Sequence, residues 1–124
     1  MRIGNIYRPA IFGCRADERL PEVARRMADK EVGALAVVED NRVVGVITER
    51  DLVRAMAERP DPETVRVAEY ATTRVETAGL AEDSRDVADR MLRAGFRHMP
   101  VTDRGELIGM VSMRDLLAVE TWTP

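Results

Sequence analysis

Two short stretches of this 124-residue chain combine a hydroxyl, an arginine and a carboxylate at the same spacing. One reads Gly45-Val46-Ile47-Thr48-Glu49-Arg50-Asp51 and the other Gly109-Met110-Val111-Ser112-Met113-Arg114-Asp115. Thr-x-x-Asp and Ser-x-x-Asp are capping boxes, in which hydroxyl and carboxylate satisfy N–H groups that have no partner in a helix's first turn. The same atoms can do more. A helix start attracts anions through its free N–H groups and its dipole. Asp51 or Asp115 can accept two hydrogen bonds from a ribose diol. Arg50 or Arg114 can bring charge to a phosphate. This set fits a nucleotide better than a bare phosphate, which the carboxylate would repel. The glycine three residues before each hydroxyl removes a side chain where a ligand's flat face could approach the strand. On these residues alone, cap and ligand site both stay open.

Other chemistry is poorly represented. Cys14 and His98 could be written as nucleophile and base, but they lie far apart in sequence with no third group to orient them. Cys14 reads as a small half-buried residue of a first strand, and His98, beside Arg97, as a surface residue or a phosphate contact. One histidine and one cysteine do not make a zinc site, and no Gly-x-Gly-x-x-Gly or Walker-type loop occurs. Met27, Met91, Met99 and Met110 fall on apolar faces and are expected to fill the core. Trp122, in the polar tail, is a candidate docking residue. The expectation is that the chain is not an enzyme.

The elements that must position these residues come twice. Sliding the chain over itself until Arg2 falls on Arg66 gives 11 ungapped identities over positions 2–53, among them Glu18/Glu82, Arg26/Arg90, Gly45/Gly109 and Asp51/Asp115. Apolar positions stay apolar between them, as at Leu35/Met99 and Ile47/Val111. A duplication follows, and with it pseudo-twofold packing, because one copy is too small to bury its own face. Residues 1–58 form the first repeat, 59–64 a linker marked by Pro60 and Pro62, and 65–124 the second repeat.

Within the first copy, Leu20, Val23, Ala24, Met27 and Ala28 recur at helical spacing, with Pro21 acceptable in the first turn. Gly33 is where that helix is expected to stop. Residues 33–38 and 43–48 are β-branched-rich runs around Glu39-Asp40-Asn41-Arg42, an antiparallel hairpin. A second helix covers 49–57. The second copy predicts a helix over 84–94, strands over 97–102 and 107–112, and a helix from Met113 to about Glu120. Pro100 inside a strand requires an edge or a solvent-facing N–H. Short strands around Ile11 and Val75 complete a β-α-β-β-α unit, twice, in an α/β (α+β) fold.

Composition limits the partners. The charged fraction is 33% and the hydrophobic fraction 45%, which excludes a disordered tail. The net charge of −3 disfavours nucleic acid, and 4% aromatic residues cannot build a base-stacking platform. Arginine supplies all but one of the 19 basic residues, which follows from GC-rich coding or from selection for oxyanion forks. The longest strongly apolar run, 34–38, is far too short to span a membrane. With no apolar leader in view and a single cysteine, a cytoplasmic location is expected.

The duplicated unit, ending each time in Gly-hydrophobic-x-Thr/Ser-x-x-Asp, resembles a CBS-domain pair, or Bateman module, over essentially the whole chain. Phe96-Arg97-His98-Met99-Pro100-Val101 resembles a strand frequent in such modules. The resemblance implies regulatory binding of an adenine nucleotide or related adenosyl ligand (AMP, ADP, ATP, NAD or S-adenosylmethionine) in clefts between the repeats. It assigns Thr48 and Asp51 to one cleft and Ser112 and Asp115 to the other, with Arg50 and Arg114 the neighbouring phosphate candidates read above. Backbone near Ala34 and His98, with residues around Phe12 and Glu76, would surround the adenine, and Arg97 beside His98 is a candidate phosphate contact. It further implies a homodimer and an effector protein that reads occupancy. Gly33-Ala34 against Arg97-His98 makes the two sites unequal in charge, with phosphorylated ligand expected to favour the second. The opening segments Tyr7-Arg8-Pro9 and Tyr70-Ala71-Thr72 lack the Met-Thr start common in the family. The alternative is a ligand-free interaction or scaffold protein in which both motifs are only caps.

Overall fold

Pro21 stands in the first turn of a helix, α1 (Leu20–Lys30), whose Leu20, Val23 and Met27 are buried on one face. The computed structural model describes residues 1–9 and 13–122, with side chains through residue 119. After α1 the chain makes a hairpin, β2 (Ala34–Glu39) and β3 (Arg42–Thr48), and enters α2 (Glu49–Glu58). A two-residue strand, β1 (Gly13–Cys14), precedes α1 and pairs in parallel with Ala36 and Val37, so the sheet order is β1-β2-β3. Asp40 and Asn41 turn the hairpin at φ of 51° and 63°, the left-handed pair that matches the twist of the strands.

The second copy repeats this with β4 (Ala78–Gly79), α4 (Ser84–Ala94), β5 (His98–Asp103), β6 (Glu106–Ser112) and α5 (Met113–Trp122), in sheet order β4-β5-β6. Arg104 and Gly105 form its turn. A four-residue helix, α3 (Val67–Tyr70), opens the second repeat.

Two compact units result, and they do not follow the repeats in a simple cut. One contains Phe12–Val75, the other Met1–Ile11 together with Glu76–Pro124. In the first, the segment around α3 is pinned to the loop before α1: Leu20 N–H donates to Val65 O at 3.0 Å and Val67 N–H to Glu18 O at 2.9 Å. In the second, the chain's first residues do the same for α4: Ser84 N–H donates to Met1 O at 2.7 Å and Ile3 N–H to Glu82 O at 2.9 Å. Each unit has its own core. Leu20, Val23, Met27, Leu35, Ile47 and Val67 pack in one. Ile3, Val87, Met91, Met99, Val111 and Leu116 pack in the other.

Several expectations change. Gly33 does not end α1. Glu31 does, in the left-handed conformation at φ 55°, with Val32 N–H closing back on Met27 O. The equivalent position of the second copy is Gly95, at φ 76°. The short strand expected near Val75 lies at Ala78–Gly79, where two residues carry no periodicity to read. Its counterpart lies at Gly13–Cys14, and Ile11 and Phe12 fall outside the described residues. Pro100 is buried in a central strand rather than an edge, and is tolerated because β4 reaches only Val101 and Thr102. Cys14 is fully rather than half buried. Met27, Met91 and Met99 are in the cores, whereas Met110 is half-buried. The side chain of Trp122 lies outside the description. No helix among the described residues is long and apolar enough to cross a membrane.

Candidate functional site

In each unit the second hairpin strand runs straight into the following helix, so the hydroxyl residue is the last of the strand and the helix cap. The register then fixes its neighbour: Ala34 lies opposite Thr48, and His98 opposite Ser112. The carbonyl just before each of these strands anchors the helix, with Glu49 N–H donating to Gly33 O at 3.0 Å and Met113 N–H to Arg97 O at 2.8 Å. Thr48, Asp51 and Ala34 are thereby gathered in one corner, and Ser112, Asp115, Arg97 and His98 in the other. Arg50 and Arg114 are exposed on the first helical turn.

The glycines of the motif do not leave room for a ligand, as their position suggested. Chain backbone already fills that room. A Cβ on Gly45 would lie 2.9 Å from Thr72 O, where Val46 and Thr72 exchange backbone hydrogen bonds at 3.0 and 2.9 Å. A Cβ on Gly109 would collide with Arg8 O and lie 2.6 Å from the Tyr7 ring, where Arg8 pairs in the same way with Met110. Each glycine admits a crossing segment, at the equivalent place in its own unit.

At the first corner the capping box is complete. Asp51 Oδ2 accepts from Thr48 N–H at 2.9 Å and from the Thr48 hydroxyl at 3.0 Å, while Thr48 Oγ1 accepts from Asp51 N–H at 3.3 Å. Asp51 is 6% exposed. Arg54, which also lies over the Tyr70 ring, approaches its other oxygen at 3.9 Å.

The second corner has only half of the box. Ser112 Oγ accepts from Asp115 N–H at 3.0 Å, but no return bond from Ser112 to the carboxylate forms. Its Oδ1 accepts from Arg8 Nη2 at 3.2 Å, and its Oδ2 is buried with no hydrogen-bond partner. A buried acceptor left unmet costs about 1–3 kcal/mol.

Sequence reasoning missed Arg8 and Arg54. Nothing in the local pattern placed Arg8 near Asp115, because the crossing segment is held by backbone bonds. The glycine at 109 was the available signal, once taken as marking a close approach of chain to chain. Glu76, expected near a ligand, faces Arg90 at 3.8 Å. Phe12 lies outside the described residues. Cys14 is no nucleophile: burial, and secondarily the Glu18 carboxylate, push its thiol up to about 12. Among the described residues no cluster of His, Cys, Asp and Glu could hold a metal ion.

Residues 3–58 and 67–120 match the sequence model of the CBS domain. The chain belongs to the CBS-domain family. It carries two CBS domains in tandem, and a 17.7 kDa protein of Acidianus ambivalens is 37% identical over 93% of this chain and 70% of its own length. Further curated relatives are spanned over only 41% and 63% of their length. The CBS domain protein of Pyrobaculum aerophilum, solved in complex with AMP, is 27% identical with a TM-score of 0.86, covering 98% of this chain and 99% of that one. A CBS domain pair solved with 5′-methylthioadenosine and S-adenosyl-L-methionine has the same fold, with a TM-score of 0.90 at 22% identity over 98% and 96% of the two chains.

Proposed function

We propose that this CBS pair is a non-catalytic regulatory module that binds an adenine nucleotide or related adenosyl ligand at its strand-to-helix corners and signals occupancy to a partner protein. The observation that carries this reading is a carboxylate at each helix start with an oxygen outside the capping box, Asp51 Oδ1 and Asp115 Oδ1, acceptors suited to sugar hydroxyls. The AMP complex of the Pyrobaculum aerophilum protein supports the choice of ligand class. Thr48, Asp51, Arg50 and Ala34 serve one corner; Ser112, Asp115, Arg114, Arg97 and His98 serve the other. Carboxylates take the ribose hydroxyls, and Arg50, Arg114 and Arg97 offer charge to phosphate.

A ligand shifts the population of two packings only by its difference in affinity for them, so signalling requires that occupancy change the corner. The helix faces offer the outlet. Val53 and Leu117, at equivalent positions of the two repeats, are 68% and 54% exposed, with Met56 and Leu92 also exposed. A homodimer formed through such faces fits both this reading and the scaffold reading, in which the corners are caps and bind nothing.

Thermal-shift titration of ligand-stripped protein with AMP, ADP, ATP, NAD and S-adenosylmethionine separates the two. A ligand at a hundred times its Kd adds about 2.7 kcal/mol, a rise of several degrees at this chain length. A rise abolished by Asp115→Ala supports the sensor. No rise with any of them supports the scaffold.

A further inference from the structure

Arg19 and Arg66 face each other across an isolated antiparallel bridge. Leu20 N–H donates to Val65 O and Val67 N–H to Glu18 O on either side of it. The two residues are therefore the close, non-hydrogen-bonded kind of pair, with Cα atoms about 4.5 Å apart and both side chains leaving on one face. Two guanidiniums stand side by side, and like charges directly opposite destabilise. Both residues are exposed, and among the described residues neither side chain has a carboxylate within ion-pair distance. The neighbouring acids are engaged elsewhere: Asp17 with Arg15, Glu18 with Arg26, and Glu69 with Arg59 and the Arg66 amide. Glu22 and Glu63 are exposed on the same two segments.

The other unit lacks this conflict. Its equivalent bridge pairs Arg2 with Asp83, an opposite-charge pair. Asp83 also caps α4, accepting from Arg85 N–H at 2.8 Å, whereas Arg19 gives α1 no side-chain cap. Arginine at 19, where the other repeat has aspartate, thus incurs like-charge repulsion and forgoes a cap. A residue that breaks two local rules with no compensating contact in its own unit is expected where function requires it.

We infer that Arg19 and Arg66 form a two-arginine fork that binds a phosphate group. Adjacent guanidiniums offer N–H donors to several oxygens of one phosphate, and a dianion between them turns repulsion into attraction. The fork is separate from the Thr48–Asp51 corner and independent of what that corner binds. The corner lies beside Gly33, past the far end of α1, a helix about 16 Å long. Inorganic phosphate and a phosphomonoester present the same oxygens, and the test includes both.

Arginine Nε–Hε resonances are followed by NMR in wild type, Arg19→Ser and Arg19→Asp. Inorganic phosphate and glycerol 3-phosphate are titrated at pH 7 against sodium chloride of matched ionic strength. In wild type the Arg19 and Arg66 signals should shift saturably with phosphate. The Kd should rise about tenfold in Arg19→Ser, which loses charge-assisted bonds, and Arg19→Asp should show no saturable shift. Saturation by both probes assigns the phosphoryl group of an ester, and saturation by inorganic phosphate alone assigns the free ion; each supports the fork. Without phosphate, Arg19→Asp should have an unfolding constant in urea about threefold below that of Arg19→Ser, since both can cap α1 but only aspartate opposes Arg66. Shifts reproduced by chloride, or a Kd unchanged in Arg19→Ser, overturn the inference. So does a phosphate-free Arg19→Asp less stable than wild type, which would show that Arg19 already has its compensating contact.

Discussion

Glu18 and Arg26 meet at 2.6 Å, and their counterparts in the second repeat, Glu82 and Arg90, meet at 2.9 Å in the same setting. Each arginine also reaches a backbone carbonyl beside the short first strand, Gly13 O at 3.0 Å and Thr77 O at 3.2 Å. Each glutamate accepts in addition from the backbone N–H three residues before it, Arg15 or Gly79, at 2.7 Å. The pair thus ties helix, loop and strand together, and identities at these positions are structural.

The first prediction concerns acid. The Arg26 hydrogen bond, followed by the Arg15 backbone N–H and the two arginine charges, holds the Glu18 carboxyl below its ordinary 4.5 against the opposing effect of burial. A carboxyl whose pKa is lowered on folding contributes stability above its unfolded pKa, and that contribution is lost as pH falls through the folded value. Urea unfolding midpoints should therefore decline from about pH 4.5 downward in wild type and decline less steeply in Glu18→Gln. Equal slopes would show that the ion pair contributes nothing across that range.

Glu31 is a second point of leverage. It ends α1 at φ 55°, ψ 44°, whereas the equivalent residue of the other repeat is glycine. A residue with a Cβ loses roughly 1–2 kcal/mol in that conformation, part of which glycine returns as entropy of the unfolded chain. Glu31→Gly is expected to stabilise by about 1 kcal/mol, raising the melting temperature by a few degrees. A lower melting temperature would mean that the Glu31 side chain contributes more than its backbone strain costs.

Cys14 offers a probe of the first unit. With its thiol pushed up to about 12 by burial, it is protonated and shielded at neutral pH, and thiolate is the reactive form. Iodoacetamide labelling followed by mass spectrometry should proceed only as fast as that unit opens, and should accelerate through the urea transition. Native-state labelling at the rate of the unfolded chain would contradict the packing around β1.

Much of this was legible in advance. The bounds of α4, the hairpin turn at Asp40-Asn41 and the caps at Thr48 and Ser112 follow from periodicity and turn chemistry, both local. The exchange of opening segments was not legible. Met1 and Ile3 join the second repeat's loop through backbone N–H and C=O groups, which every sequence carries alike. Glu31 as a helix end was hidden for a related reason: a glycine two residues on gave the stronger signal, and tertiary context overrode it.

The motif glycines give a graded prediction. Gly45→Ala puts a Cβ 2.9 Å from Thr72 O, and Gly109→Ala puts one against Arg8 O and the Tyr7 ring at once. Neither neighbour is the free end of a flexible side chain, so backbone must shift, at roughly 1–3 kcal/mol for overpacking. Chemical denaturation should rank Gly109→Ala as the more destabilised. The reverse order would show that the segment carrying Arg8 yields more easily than the one carrying Thr72.

The two aspartates separate cap from ligand site. Asp51→Ala removes two accepted hydrogen bonds and strands the Thr48 N–H, so it should cost about 0.5–2 kcal/mol as cap losses do. Asp115→Ala removes one exposed contact to Arg8 together with an oxygen that has no partner. Relieving a buried unmet acceptor offsets the lost pair, because exposed ion pairs contribute only up to about 1 kcal/mol, and stability should change by less than about half a kcal/mol. Urea denaturation of both variants without ligand checks this. A small cost at Asp115 would show that its carboxylate is not needed as a cap, which the proposed ligand reading requires. A cost at Asp115 equal to that at Asp51 would instead make both motifs caps of the same kind.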